Sequence, residues 1–286
     1  MKHFKIIKFI FSILLLIISV ISYAHFIEPK LITFKEYKIK NSNITDNFNG
    51  FKIVQISDIH YGRMFDKKMM KKLVNSVNNI KPDIVVLTGD LIDKTAKMNI
   101  EMSEEISKNL NKIEANIGKY AINGNQDLKF DEWTNIIKNS GFTNLNNSYD
   151  TIYKNGYNCM FIAGVSTKSD KLSINDKLTE TINNLNSYEK DPPIYKILLM
   201  HEPDTIDEIE NNPFDLVLSG HSHHGQVKLL NIPITLPNGA KKYYDSHYKI
   251  NNTDLYISNG LGVSNYDFRL FNTPSFNIYN FIKETN

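Results

Sequence analysis

The sequence predicts an α/β domain carried behind an apolar N-terminal helix, and three observations predict it. Continuous short apolar runs (Ile84-Val85-Val86-Leu87, Ile197-Leu198-Leu199-Met200, Leu216-Val217-Leu218) suit strands covered on both faces. Amphipathic stretches of helical period lie between such runs. The first two dozen residues are apolar without polar alternation, which does not suit a core helix of a soluble domain. A chain of 286 residues, 41% hydrophobic and 22% charged, has enough apolar side chains for one substantial core.

Residues 1–27 are read as a membrane anchor or signal segment. Residues 9–27 are 19 positions, roughly 28 Å as a helix at ~1.5 Å per residue, close to the thickness of a hydrocarbon core. That length favours a retained anchor, while Ser22-Tyr23-Ala24 offers small residues where a signal peptidase would cut. Either fate leaves Lys2, Lys5 and Lys8 on the cytoplasmic side and exports the body. The expected location is therefore the cell membrane, single-pass with an extracytoplasmic domain, or outside the cell after cleavage.

Residues 28–50 are expected to be linker and loop, and 51–286 the folded domain. Residues 51–56 read as the first strand. Asp66 caps a helix running to Ile80, whose stripe of Met69, Met70, Leu73, Val74 and Val77 is core rather than a cofactor box. Further strands follow at 84–88, 120–122, 197–200 and 216–218. Residues 226–230, 255–258 and 276–282 read as strands separated by turns, and suggest an antiparallel second sheet. Cys159, the single cysteine, stands in the run Cys159-Met160-Phe161-Ile162 and reads as a buried, inert thiol. The formal charge is +2, but without the three leading lysines 30 basic residues face 31 acidic ones. A near-neutral body lacks the concentrated basic face that a phosphate backbone requires, so no nucleic-acid binding is expected.

The polar residues fall where these strands end, and ligand sites of α/β sheets form at strand C-terminal ends. Asp58-Ile59-His60 follows the first strand, Gly89-Asp90 the second, Gly124-Asn125-Gln126-Asp127 the third, His201 the fourth and Gly220-His221-Ser222-His223 the fifth. One Asp-x-His or Gly-Asp is usually an ordinary loop, and only the joint order of five clusters carries weight. Carboxylate, amide oxygen and imidazole donors suit Mn²⁺, Fe or Zn²⁺, and the lack of thiolates argues against a structural zinc.

This ordered set resembles the calcineurin-like metallophosphoesterases, over a stretch from about Phe51 to the chain's end. Residues 84–93, His201-Glu202-Pro203-Asp204, residues 216–227 and Ser258-Asn259-Gly260-Leu261-Gly262 resemble bacterial membrane-associated phosphodiesterases acting on UDP-2,3-diacylglucosamine-like lipids. The resemblance implies two facing β-sheets flanked by helices. It also implies two divalent metal ions, Mn²⁺ first among them. Asp58, His60 and His223 would hold one ion, Asn125, His201 and His221 the other, and Asp90 would bridge. Two such ions repel, so a shared carboxylate is needed to keep them together.

By the same resemblance, a metal-bridging hydroxide would attack a phosphodiester or pyrophosphate bond of a lipid-linked or envelope substrate. Asn125 and Gln126 would stand among the catalytic residues. The family commonly has a histidine after the asparagine, to protonate the leaving oxygen, and Gln126 cannot do so. A substrate with a weakly basic leaving group would suffer least; otherwise the chain is a catalytically weakened binding module at the membrane. His224 could supply the missing proton, although a surface or packing role fits it better. Arg63 and Arg269 could contact phosphate or form surface ion pairs.

Overall fold

Each central strand is apolar on both faces because each face meets a different core. The computed structural model describes residues 2–167, 172–188 and 194–284. Among the described residues the first strands are β1 (Thr33–Asn41), β2 (Lys52–Ile56), β3 (Ile84–Thr88), β4 (Gly118–Ile122), β5 (Thr143–Asn144), β6 (Ser148–Tyr153) and β7 (Cys159–Gly164). Then come β8 (Lys196–Leu199), β9 (Leu216–Ser219), β10 (Lys228–Leu229), β11 (Ile232–Pro233), β12 (His247–Ile250), β13 (Thr253–Ile257) and β14 (Ser275–Lys283). The longer helices are α1 (Lys2–Ser22), α2 (Lys67–Ile80), α3 (Ile100–Asn111), α4 (Trp133–Asn139) and α5 (Ile174–Tyr188).

One sheet has the order β1-β14-β2-β3-β4-β5 and the other β12-β13-β9-β8-β7-β6, with β10 and β11 a separate hairpin. On β3, Ile84 and Val86 enter the core between the sheets, while Val85 and Leu87 enter the outer core beneath α2, α3 and α4. On β8, Ile197 and Leu199 face the first sheet and Leu198 faces a third core that includes Ile174, Leu178 and Leu185 of α5. The chain is thus two facing sheets flanked by helices, as expected. Asp66 caps α2 by accepting from the Met69 N–H at 2.9 Å, and the five predicted stripe residues are all buried.

The C-terminal strands do not build a second, antiparallel sheet of their own. β13 joins the second sheet parallel to β9, whereas β14 enters the first sheet antiparallel to β2 and parallel to β1. Both sheets are therefore mixed: a period of two identifies a strand and its inward face, but not its partner. Of residues 226–230, Lys228–Leu229 pair in the small hairpin and Val227 makes an isolated bridge to Leu270. The segment expected to be linker and loop contains β1, an edge strand whose exposed lysines hide the apolar alternation. Cys159 is half-buried at the first position of β7 rather than buried.

Behind the strand ends, Gln55 ties the two sheets together. Its Nε2 donates to Thr88 Oγ1 (2.8 Å) and to the Ser219 carbonyl (2.9 Å), and its Oε1 accepts from Tyr279 Oη (2.7 Å). A buried amide with its donors and acceptor matched in this way fixes the relative position of β2, β3, β9 and β14.

Ahead of the domain, α1 buries none of its side chains, and Lys2–Lys30 is long and apolar enough to cross a membrane.

Candidate metal centre

β2, β3 and β4 run parallel in one sheet, β8, β9 and β13 run parallel in the other, and their C-terminal ends meet. Each chain segment turns there and aims a polar side chain inward. The turns are tight: Asp58, His60, Asp90, His221 and His223 all take positive φ, between 47° and 66°. Such backbone costs about 1 to 3 kcal/mol per residue and persists where surrounding structure over-determines it, as at functional sites. A Cβ on Gly124 would overlap the Asp90 carboxylate and backbone nitrogen, so the third loop approaches the second as closely as it does only because glycine stands there.

Two groups of donors result. Asp58, His60 and His223 place one ligand atom each within 4.8 Å of one another, and Asp90, His201 and His221 do the same. Asp90 Oδ2 faces both groups, 3.8 Å from His60 Nε2 and 3.5 Å from His201 Nε2. In the first group His60 Nε2 and His223 Nε2 are 3.0 Å apart, with Asp58 Oδ1 3.4 Å from His223 Nε2. In the second, His221 Nδ1 lies 3.2 Å from His201 Nε2. Asn125 is exposed, and it lines the adjoining cavity of about 250 Å³ beside Asp90, His221 and His223.

The protonation pattern suits cations. His201 Nδ1 lies 2.8 Å from the Thr88 carbonyl and His221 Nε2 lies 2.8 Å from the Asn238 carbonyl. A carbonyl only accepts, so those nitrogens carry hydrogens and two lone pairs are left facing each other across 3.2 Å. Only a proton or a metal ion between them relieves that contact. His60 Nδ1 and Asp93 Oδ2 are buried, have no hydrogen-bond partner and face each other at 3.5 Å, the arrangement of a carboxylate that orients a ligating imidazole.

Burial pushes the Asp58 and Asp90 carboxyls up, but the surrounding imidazoles outweigh it and hold both below the usual range. Burial opposes charge on His60 and His201, yet Asp93, Asp90 and Asp58 together raise the first, and Asp90 and Asp58 the second. Protons on imidazole thus balance carboxylates where divalent ions would do so. The donor set fits two hard-to-borderline cations.

Residues outside the ligand groups complete the site. Gln126 donates its backbone N–H to Asp90 Oδ1 (2.8 Å), while its side chain accepts from the Lys94 N–H (2.8 Å) and donates to Ser264 Oγ (3.0 Å). Asp127 accepts from the Gly124 and Ile92 N–H groups, and burial followed by the nearby Asp90 charge pushes it up to about 7. His224 is buried, with Nε2 3.0 Å from the Ile257 carbonyl, and burial pulls it down to about 3; it packs and does not line the cavity. Arg63 pairs with Asp267 at 2.6 Å. Arg269 neither reaches phosphate nor forms a surface ion pair: it is fully buried, with backbone carbonyls around it and Nη2 3.1 Å from His223 Nδ1. Its contacts, like those of Asn272 with the His223 carbonyl, had no signal in spacing or composition.

Comparison with known proteins follows the same residues. The family model for calcineurin-like phosphoesterases matches residues 51–225. The chain is 32% identical over 273 residues to the uncharacterized metallophosphoesterase YkuE of Bacillus subtilis, spanning 92% of this chain and 90% of that protein. It is 26% identical over 248 residues to the UDP-2,3-diacylglucosamine pyrophosphatase LpxG of Chlamydia trachomatis, covering 72% of this chain and 74% of that one. Among solved structures, the NAD nucleotidase of Haemophilus influenzae shares the fold with a TM-score of 0.51 at 15% identity, over 74% of this chain and 45% of that one.

Proposed function

The chain belongs to the calcineurin-like phosphoesterases, and from that membership we propose that it is a dinuclear, metal-dependent hydrolase of a phosphodiester or pyrophosphate bond in a lipid-linked substrate at a membrane surface. The observation that carries this reading is Asp90 Oδ2, which belongs to one three-residue donor group, 3.5 Å from His201 Nε2, and also faces His60 Nε2 of the other at 3.8 Å. Asp58, His60 and His223 would hold one ion, His201, His221 and Asn125 the other, and Asp90 both, with Mn²⁺ favoured and Fe or Zn²⁺ compatible. Bound divalent ions supply a Lewis acid for phosphoryl oxygens and a water acidic enough to yield a nucleophile near neutral pH.

The chain's own groups do the rest. The Thr88 and Asn238 carbonyls keep His201 and His221 in the tautomers that leave a lone pair inward. Asn125, Gln126 and Lys94 line the cavity where a phosphate would sit. Gln126 can donate a hydrogen bond there but has no proton to surrender. The chain therefore suits a leaving group that departs without one. Pyrophosphate is such a linkage, and the C. trachomatis relative is named as a pyrophosphatase of UDP-2,3-diacylglucosamine. The span Lys2–Lys30 supports a membrane setting with the body outside the cytoplasm.

The test uses purified full-length chain in detergent, stripped by chelator and reloaded with Mn²⁺. Hydrolysis of an aryl phosphodiester should vanish on stripping and return with metal. Metal uptake without turnover on any phosphoester would instead make the chain a binding module. Membrane-lipid extracts, treated with the wild type or with His223→Ala, should yield phosphate-containing products only from the former.

Gln126→His tests the leaving-group argument. It is expected to speed cleavage of an alkyl phosphodiester, which needs a proton, by ~10²-fold or more, the scale of general acid catalysis. A nitrophenyl ester should change little. Equal effects on both substrates would remove the reason for favouring pyrophosphate.

A further inference from the structure

The exposed apolar surface does not end with α1. In the β10–β11 hairpin and just beyond it, Leu229, Leu230, Ile232 and Ile234 are 60%, 87%, 69% and 63% exposed. The hairpin turns through Leu230 and Asn231, both at positive φ (52° and 66°). Two-residue turns of that kind favour Asn or Gly, so a leucine at the tip serves neither the turn nor the core. The hairpin is nevertheless held firmly: the Ile234 N–H donates to the Val227 carbonyl at 3.0 Å, and Pro233 packs so closely on Gly225 that a Cβ there would overlap it.

A strap of residues 266–271 runs alongside and exposes Phe268 and Phe271. Its Leu270 carbonyl accepts from the Lys228 N–H at 2.9 Å, which joins it to the hairpin. The strap also holds the end of the N-terminal helical segment. The Arg269 N–H donates to the Ala24 carbonyl (3.0 Å), His25 Nδ1 lies 2.6 Å from the Asp267 carbonyl, and the buried Glu28 carboxylate accepts from the Phe271 (3.1 Å) and Asn272 (2.7 Å) N–H groups. Phe26 and Ile27, at that junction, are exposed as well. One hydrogen-bonded unit thus carries apolar side chains from the membrane helix, through the strap, to the hairpin tip.

We infer that the hairpin and strap are a second membrane contact, dipping Leu229, Leu230, Ile232, Phe268 and Phe271 into the leaflet from which α1 emerges. The inference rests on α1 being a membrane segment, as proposed above. Continuity with that segment names the occupant: a patch fixed by hydrogen bonds to the end of a membrane helix meets lipid before it meets anything else. Apolar surface of this kind buries itself to about 5 to 10 Å in the headgroup and acyl boundary. The consequence for the site is geometric. Thr235, Leu236 and Tyr266, which leave the hairpin and strap, line the cavity wall. A cavity of about 250 Å³ accepts a headgroup rather than a whole diacyl lipid, so the contact would bring a lipid phosphate to the ligand groups while its acyl chains stay in the bilayer.

The experiment compares Leu230→Trp and Phe271→Trp with Tyr157→Trp in full-length chain reconstituted into phosphatidylcholine and phosphatidylglycerol bilayers. The lipids carry bromine at a shallow acyl position. Tyr157 lies in the exposed turn between β6 and β7, at the ends of the strands opposite the cavity, and buried Trp133 gives the same background in every sample. The Leu230 and Phe271 reporters should lose most of their added emission to bromine and shift to the blue, and the Tyr157 reporter should do neither. Equal quenching at all three positions, or none, overturns the inference. A blue shift without quenching also overturns it, because protein such as a second copy would then cover the hairpin. Quenching needs neither metal nor turnover, so its failure leaves the hydrolase reading intact, and an inactive chain can still dock.

Discussion

Asp90→Asn is expected to lose bound metal at both positions and to lower turnover of an aryl phosphodiester by ~10³-fold or more, since charge at the reacting centre is the largest single term in such catalysis. The substitution keeps the shape of the side chain. Its carbonyl oxygen can still accept the Gln126 N–H, now held by Asp90 Oδ1 at 2.8 Å. What disappears is the negative oxygen that faces His60 at 3.8 Å and His201 at 3.5 Å. An amide nitrogen in its place points hydrogens at imidazole lone pairs, which a cation would otherwise occupy. The metal-free fold should lose some stability at neutral pH, because the imidazoles hold the Asp90 carboxyl below its usual range and its charged form therefore stabilises the fold, a loss offset in part by relief of the nearby Asp127, which Asp90 raises. Metal analysis, turnover and thermal unfolding of the stripped chain separate these effects. Two equivalents of metal retained at near wild-type rate would remove Asp90 from the bridging role.

That residue was legible because its position obeys two rules at once: it follows an apolar run buried on both faces, and it stands one residue past a glycine. Both rules hold for His221, which follows Gly220, and the first alone for Asp58, His201 and His223, each just beyond a strand of the parallel core. β1 escaped notice because an edge strand alternates exposed Lys38 and Lys40 with half-buried Tyr37 and buried Ile39, and has water on one side. The partner of β14 escaped notice because pairing is decided by contacts across more than 200 residues, Asn277 with Gln55 for one. Within the site, the groups that hold ligands in place were the hardest to see. Asp93 faces a histidine 33 positions earlier, a sequence separation that matches no helical or strand period. Asn272 and Arg269 act mainly on backbone carbonyls, which every residue possesses and which therefore leave no trace in composition.

Arg269→Leu is expected to destabilise the chain by about 3 to 5 kcal/mol, the usual result of stripping buried polar groups of their charged partner. In a domain of this size that is a fall in midpoint of about 10 °C or more. Nε and Nη2 donate to the Gly262 carbonyl, Nη1 to that of Asn272 at 3.1 Å, and Nη2 also to those of Asn259 and Gly260 at 3.0 and 3.1 Å. Burial pulls the guanidinium down to about 10, opposed by the Asp58 and Glu28 charges, so it stays charged at neutral pH. A buried ion pair can often be exchanged for apolar side chains at no loss when both partners are replaced. Here the partners are backbone carbonyls, which no substitution can remove, so leucine leaves them buried and unmatched. Arg269→Lys should recover only part of the stability, since one ammonium cannot reach carbonyls spread around a planar fork. The loss should extend to metal affinity, because the same guanidinium touches His223 and its loop carries Gly260 against the His223 ring. Calorimetry of the stripped chain reads the first effect and metal titration the second. An Arg269→Leu chain that melts with wild type and binds metal as tightly would mean that the carbonyl cage holds itself together, and that His223 needs no support from behind.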